Sequence, residues 1–133
     1  MEAKVAYLQT IQGVITRLAA NSFLLKGWSV TIVVALFSLA AIETNKRFIW
    51  IAYFPVIIFW FLDAYYLSQE RKYKDLYNEA RLVEPSSSID FSLHVDKFKS
   101  KRNSFLATLF SKTVVFFHGA ILAGLLLVTF VIQ

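Results

Sequence analysis

Three long apolar blocks constrain this chain more than any other feature of its sequence. They cover residues 21–42, 48–67 and 113–132, and each approaches the ~20 residues that a helix needs to cross a ~30 Å hydrocarbon core. The 133-residue chain is 57% hydrophobic, above the roughly 45–50% apolar content of an ordinary soluble domain. The sequence therefore predicts a single-domain, all-α membrane protein with three transmembrane helices and excludes a soluble enzyme domain.

The distribution of Lys and Arg predicts the direction of the spans. Nine of the 14 basic residues lie between the second and third spans, and short loops rich in Lys and Arg stay on the cytoplasmic side. We therefore expect a bacterial inner-membrane protein with its N-terminus and residues 68–112 in the cytoplasm. A hairpin turn at residues 44–45 and the C-terminus would then lie outside.

The N-terminal segment, residues 1–20, is predicted to form an amphipathic helix. Leu8, Ile11, Ile15 and Leu18 recur at spacings of three and four and so share one face. This face could lie on the inner membrane surface or pack against a partner helix. Its net positive charge favours the membrane surface, because the cytoplasmic leaflet is anionic.

The second span is expected to continue into the cytosol as a helix through residue 82. Tyr73, Leu76 and Ala80 form a stripe at heptad-like spacing, which predicts contact with another helix. That helix is either the N-terminal helix of the same chain or the same segment of a neighbouring subunit. Farther on, residues 90–96 alternate apolar and polar side chains, which predicts a short extended segment paired within a hairpin or with another subunit.

A basic cluster precedes the third span and consists of Lys97, Lys99, Lys101 and Arg102. Two roles are consistent with it: contact with lipid headgroups that orients the span, and binding of a cytosolic protein or an anionic ligand. Nucleic acid is not an expected partner, because few aromatic side chains are interleaved with the charges.

Two charged residues near the inner boundary of the membrane are predicted to pair. Lys26 and Asp63 lie at matching heights on the two arms of a hairpin that turns at residues 44–45. Asp63 is the only acidic residue within the three predicted spans. An ionisable residue inside the membrane is a functional candidate. An ion pair is favoured over a solvated pore mouth or a role in proton or ion transfer.

Weakly polar and small residues mark two further faces of the spans. Thr31 and Ser38 share one face of the first span, and His118 lies two turns inside the third; each is a candidate to line or gate a pore. For His118 the alternative is a hydrogen bond to a neighbouring helix. Small residues let helices approach closely, either within the bundle or at an oligomer interface. Those in the third span are Gly119, Ala123 and Gly124.

The sequence contains no recognisable catalytic or cofactor-binding motif. It has no cysteine, and its histidines, His94 and His118, lie far apart, so no metal site, cofactor or catalytic residue is predicted. A small lipid-modifying enzyme would require Lys26, Asp63 and His118 to come together. The position of the third span relative to the first two is left open by the sequence.

Residues 8–82 resemble a group of small, uncharacterised bacterial three-span membrane proteins. The resemblance is carried by IQGVITRLAANSFLLKGWSVT, by FWFLDAYYLSQERKYKDLY and by the later FSKTVVFFHG. The layout of cytosolic helix, transmembrane hairpin and cytosolic helix also loosely resembles SLATT-type effectors of bacterial conflict systems, which implies a membrane pore; the third span departs from that layout. In outline the chain is similar to bacterial diacylglycerol kinase, but it lacks that enzyme's membrane-level glutamates.

These features lead to two hypotheses of different classes. The first is a homo-oligomeric pore or membrane-perturbing defence effector, since three spans cannot enclose an aqueous path alone. The second is a membrane anchor or scaffold that recruits a cytosolic partner through residues 68–112.

Overall fold

Helices make up most of the structure, a computed structural model that describes residues 2–43, 47–83 and 90–132. Its elements are α1 (Glu2–Glu43), α2 (Arg47–Arg81), α3 (Phe105–Leu109) and α4 (Lys112–Ile132). Helices α1, α2 and α4 are each long and apolar enough to cross a membrane. The predicted all-helical class with three membrane-length helices is confirmed, whereas the predicted turn at residues 44–45 lies outside the described residues.

Helix α1 runs without a break through the expected boundary between residues 20 and 21. The reason is one stripe of buried and half-buried residues from Tyr7 to Val33, at spacings of three or four residues. Its members are Tyr7, Ile11, Ile15, Leu18, Ser22, Leu25, Ser29 and Val33. A separate helix on the membrane surface is therefore the wrong expectation for residues 2–20, because their apolar face continues the face of the first span and packs on protein.

Helices α1 and α2 pack antiparallel along most of their length, and α4 packs antiparallel to α2. Near the N-terminus of α1, Ile11 packs with Leu76 of α2. At the opposite end, Val56 of α2 packs with Val33 of α1 and Leu125 of α4. We call residues 2–20, 68–83 and 90–104, which carry most of the charges, the polar half of the molecule.

The segment of residues 90–96 does not form a strand, and no strand occurs in the part of the chain that the structure describes. Instead, Val95 is buried against α1 and α2, and the ring of Phe91 lies edge-on to Tyr7 with centroids 5.2 Å apart. The Tyr7 hydroxyl donates a hydrogen bond to the backbone oxygen of Ser92. Within the described residues the segment pairs with no other strand; side-chain packing on the helices orders it instead.

Asn103 fastens the segment before α3 to helix α2. Its side chain is 1% exposed, and Nδ2 donates to Asp75 Oδ2 at 2.6 Å and to Phe98 O at 3.0 Å. Ser68 donates in turn to the Asn103 backbone oxygen. These bonds hold residues 98–104 at a defined position on the surface of α2.

We expect Asn103→Ala to lower the free energy of unfolding by about 1–3 kcal/mol, because it removes two hydrogen bonds of a buried amide, one of them to the carboxylate of Asp75. The loss should appear in denaturant titrations of the detergent-solubilised protein. Lys101→Ala, at an exposed position in the same segment, is the control and should change the value by about 0.5 kcal/mol at most. Equal effects of the two substitutions would contradict the anchoring role.

Candidate functional site

A buried polar cluster joins all three membrane-length helices around the carboxylate of Asp63. Lys26 Nζ lies 2.6 Å from Asp63 Oδ2, and His118 Nε2 lies 2.9 Å from the same oxygen. Ser22 donates a hydrogen bond to Asp63 Oδ1 and accepts one from Lys26 at 2.9 Å. The structure thus brings together the predicted pair of Lys26 and Asp63, and adds two partners that the prediction did not include.

Each helix supplies its part of the cluster through simple periodicity. Ser22 and Lys26 are four residues apart and lie one above the other on α1. Asp63 faces them from α2, because the two helices form an antiparallel pair. His118 reaches the same carboxylate from α4, one turn after the buried Val114, so the cluster lies on the face of α4 that packs against α2.

Aromatic rings enclose the cluster on the side of α4. The ring of Trp60 stacks on His118 with centroids 6.4 Å apart, and Lys26 Nζ lies 5.9 Å from the centre of the Phe117 ring. Trp60 Nε1 also donates to Leu109 O at 2.9 Å, which ties the end of α3 to α2. These contacts hold the start of α4 against α2. They therefore determine where His118 lies along α2 relative to Asp63.

The cluster is electrically balanced when His118 is neutral. Asp63 and His118 are both 0% exposed, whereas the Lys26 side chain retains 22% exposure. A buried charge without a partner is strongly unfavourable, and here the carboxylate has an ammonium, a hydroxyl and an imidazole around it. The balance allows these groups to lie within an otherwise apolar helical bundle.

The proton arrangement of His118 follows from its partner. An ionised carboxylate only accepts hydrogen bonds, so Nε2 carries the proton that faces Asp63. The other ring nitrogen, Nδ1, is buried and has no hydrogen-bond partner among the described residues. His118 therefore retains one unused polar atom inside the bundle.

The cluster contains the three residues that a lipid-modifying site would require, but its arrangement does not expose them. Asp63 and His118 have no exposed surface, so a substrate could reach them only by displacing a helix. The Ser22 hydroxyl donates to Asp63 and accepts from Lys26, so it is already engaged in the cluster. What the geometry provides is a charge-balanced clamp across three helices.

The candidate pore-lining residues occupy different environments. Thr31 and Ser38 are exposed on α1, and their hydroxyls donate to the backbone oxygens of Gly27 and Val34, each at 2.9 Å. His118, in contrast, is buried against Asp63. The polar face of α1 is therefore open in the monomer, whereas His118 faces other helices of its own chain.

The small residues of α4 also leave open space beside the helix. A methyl group added at Gly124 would meet no atom within 4 Å, and one added at Gly119 would meet only a side-chain carbon of Val115 at 3.9 Å. Ala123 is exposed. No helix of the same chain approaches closely along this face within the described residues.

The predicted stripe on α2 is occupied within the chain. Leu76 and Ala80 are buried, and Tyr73 packs against the same cluster, which includes Ile11 and Ile15 of α1. Of the two alternatives left open by the sequence, contact with the N-terminal helix of the same chain is the one that the structure contains.

The four residues of the basic cluster differ in whether they pair with a carboxylate of the described residues. Lys97 lies 2.7 Å from Glu79 Oε1, and this hydrogen bond raises the pKa of Lys97 above its usual value. Arg102 lies 3.7 Å from Asp75. Lys99 and Lys101 are exposed and form no ion pair with a described carboxylate.

Sequence reasoning missed several buried or half-buried polar residues, among them Ser22, Ser29 and Asn103. Ser22 could have been found, because it lies one helical turn before Lys26 on the face that meets Asp63. Ser29 and Asn103 carry no such signal. Ser29 is 0% exposed, and its hydroxyl has no hydrogen-bond partner among the described residues. Their burial depends on which helix or loop covers them.

No group of three or more potential metal ligands occurs within residues 2–43, 47–83 and 90–132. The cluster therefore consists of ionic and hydrogen-bonding side chains, and the chemistry of those side chains is the basis for any function assigned to it. Comparison of the chain with protein families, with curated proteins and with solved structures found no match in any of the three.

Proposed function

We propose that this chain is a homo-oligomeric inner-membrane protein that forms a pore or otherwise perturbs the membrane, as a defence effector would. In this proposal α1, α2 and α4 each cross the bilayer, and the polar half faces the cytoplasm. Nine basic residues between the second and third apolar blocks, in residues 68–112, support that orientation.

The observation that carries the proposal is the direction of the polar face of α1. Thr31 lies two residues before the buried Val33, which is about 200° around a helix with 3.6 residues per turn. Ser38 lies two turns beyond Thr31 on the same face and is also exposed. Both hydroxyls therefore face away from α2 and α4, where a ring of subunits would direct them toward a shared axis.

A ring also requires a surface on which subunits can approach one another. The face of α4 around Gly119, Ala123 and Gly124 supports such contact, because small residues allow close helix packing in membranes and no other helix of the chain fills the space beside the two glycines. The buried cluster around Asp63 would keep each three-helix unit rigid during assembly.

Bulky substitution on the polar face of α1 tests the proposal. We expect Thr31→Phe and Ser38→Phe to reduce ion flux from protein-containing vesicles by at least about tenfold, because the larger ring would narrow a lumen lined by this face. Val30→Phe is the matched control: Val30 is an exposed apolar residue on the same helix, about 100° away from Thr31, and its variant should retain flux.

Oligomer mass in lipid nanodiscs accompanies the flux measurement. A closed ring of four or more subunits is expected for wild type and for all three variants. A monomer or dimer would contain too few helices to surround water and would overturn the pore. Unchanged flux in both Thr31→Phe and Ser38→Phe, with assembly intact, would also overturn the pore.

The second hypothesis, a membrane anchor that recruits a cytosolic partner, is favoured by one feature of the polar half. A groove of about 320 Å³ lies between α1, α2 and the segment of residues 90–97. Its apolar floor includes Leu76 and Ala80. Its rim carries Asp90, Asp96 and the ion pair of Glu79 with Lys97, so its net charge is negative. The acidic rim suits a basic peptide, and this function predicts a stoichiometric soluble partner and no ion flux in the wild-type protein.

A further inference from the structure

A second pocket lies where α2 leaves its apolar segment and enters the polar half. Its volume is about 360 Å³, within the ~300–1,000 Å³ typical of small-molecule sites. One wall is formed by α2 with Gln69 and Lys72, and the other by the following loop with Lys99 and Ser100. Tyr65 and Phe105 contribute aromatic surface.

The charges of this pocket are all positive. Lys72 and Lys99 line it, and none of its lining residues is acidic. Neither lysine forms an ion pair with a carboxylate of the described residues, in contrast to Lys74, Lys97 and Arg102, which pair with Glu70, Glu79 and Asp75. The pocket therefore brings together two ammonium groups for which the described part of the chain provides no counter-charge.

Uncharged hydrogen-bond donors surround the two ammonium groups. The side-chain amide of Gln69 has no partner among the described residues. The Ser100 oxygen accepts from the backbone nitrogen of Asn103 at 3.3 Å, which leaves its hydroxyl proton available. Ammonium, amide and hydroxyl donors together match the several acceptor oxygens of a phosphate group.

The two walls of the pocket are held at a defined separation. Asn103 bonds to Asp75 on α2, and Arg71 of α2 donates to the Arg102 backbone oxygen at 2.7 Å. These bonds fasten the loop that carries Lys99 to the helix that carries Lys72. A ligand would therefore meet a largely preformed site, which lowers the entropic cost of binding.

The position of the pocket along α2 places it at the edge of the apolar region. Tyr65 lies two residues after Asp63, and Lys72 lies nine residues after Asp63. These spacings correspond to about 3 Å and 14 Å along the helix axis. Phe105 packs edge-on against Phe61 with centroids 5.9 Å apart. In a membrane-inserted chain this is the depth at which lipid phosphates lie, with the aromatic side toward the acyl chains.

We propose that this pocket binds a phosphate group, carried either by the headgroup of a membrane lipid or by a small soluble phosphate. Lys72 and Lys99 supply the charge, and Gln69 and Ser100 supply the neutral donors. The site does not depend on the pore, and it differs from the acidic groove at the other end of the polar half. Of the four basic-cluster residues predicted to contact an anion, this proposal retains Lys99. It adds Lys72, which lies outside that cluster.

The test uses the full chain in a non-ionic detergent and two pairs of substitutions with the same change in net charge. Lys72→Gln with Lys99→Gln removes the pocket cations, and Lys74→Gln with Lys101→Gln removes the lysines two positions away. Binding of dioctanoyl phosphatidic acid and of inorganic phosphate is measured by native mass spectrometry and calorimetry. Dioctanoylglycerol, which has no phosphate, is the ligand control.

We expect saturable binding of one phosphate ligand per chain and about 25-fold weaker binding to the pocket variant, or roughly fivefold per lysine. The Lys74 and Lys101 variant should bind within about twofold of wild type. Binding of the lipid alone identifies a headgroup site, and comparable binding of inorganic phosphate identifies a soluble ligand. Because neither pocket lysine has an ionic partner in the described chain, the thermal midpoint should not change.

Three results with the phosphate probes would overturn the proposal, and a fourth comes from the ligand control. These are unchanged affinity in the pocket variant, an equal loss in the two paired variants, which would indicate general surface charge, and the absence of saturable binding of either phosphate probe to the wild-type protein. Binding of dioctanoylglycerol as strongly as of the phosphatidic acid would also exclude a phosphate site.

Discussion

Asp63→Asn is expected to lower the free energy of unfolding by about 3 kcal/mol. Removing one member of a buried ion pair typically costs ~3–5 kcal/mol because the other charge is left without a partner. The lower end applies here, since Lys26 keeps 22% of its side chain exposed and can turn toward water. The loss can be measured by denaturant titration in mixed micelles, with the fluorescence of Trp60, which stacks on His118, as the signal.

Glu79→Gln provides a matched control for Asp63→Asn. The Lys97–Glu79 pair is nearly as short, at 2.7 Å against 2.6 Å, but its side chains are 62% and 50% exposed. Exposed pairs contribute about 0–1 kcal/mol, so this substitution should have little effect. If Asp63→Asn is no more destabilising than Glu79→Gln, the cluster does not clamp the three helices.

Ile11→Ala is expected to lower the free energy of unfolding by about 3 kcal/mol, within the ~2–5 kcal/mol range for removal of a buried large aliphatic side chain. Ile11 is 0% exposed and packs with Leu76 and Ala80. The cavity should loosen the polar half first. Hydrogen exchange should accelerate at backbone amides of residues 73–80 and remain slow around Val56, which packs in the other cluster.

Val5→Ala is the control on the same helix, because Val5 is 49% exposed and its truncation should cost about 0.5 kcal/mol or less. The comparison also distinguishes the two placements of residues 2–20. On a membrane surface, loss of Ile11 would weaken lipid contact without changing exchange at Leu76. Unchanged exchange in residues 73–80 would contradict the packing of α1 on α2.

The Lys26–Asp63 pair could be predicted from the sequence, and His118 could not be assigned to it. A short hairpin turn sets the register of two antiparallel helices, so equal distances from the turn bring Lys26 and Asp63 to the same height. His118 lies beyond the connection between α2 and α3, in which the described residues 83, 90–95 and 98–100 have no regular secondary structure. An irregular connection does not set a register, and only packing against α2 places His118 beside Asp63.

The pocket lined by Lys72 and Lys99 was likewise only partly predictable from the sequence. The sequence identified Lys99 through its basic cluster, but Lys72 lies on another element, and nothing in the spacing of the two residues predicts that they line one cavity. Asn103 joins the two elements through a buried amide, and a single polar residue in a loop has no periodic signal. Its role became visible only with the positions of Asp75 and Phe98 in space.

The sequence by itself determined the helical class, the three membrane-length helices and the continuation of the second beyond its apolar block. These depend on composition and on periodicity within one helix, which are local properties. Only the tertiary structure decided that the N-terminal helix continues α1 and packs on α2, that residues 90–96 form no strand, and that α4 brings His118 to Asp63. These outcomes depend on which surfaces bury one another, because packing between elements distant in sequence is decided by the whole fold.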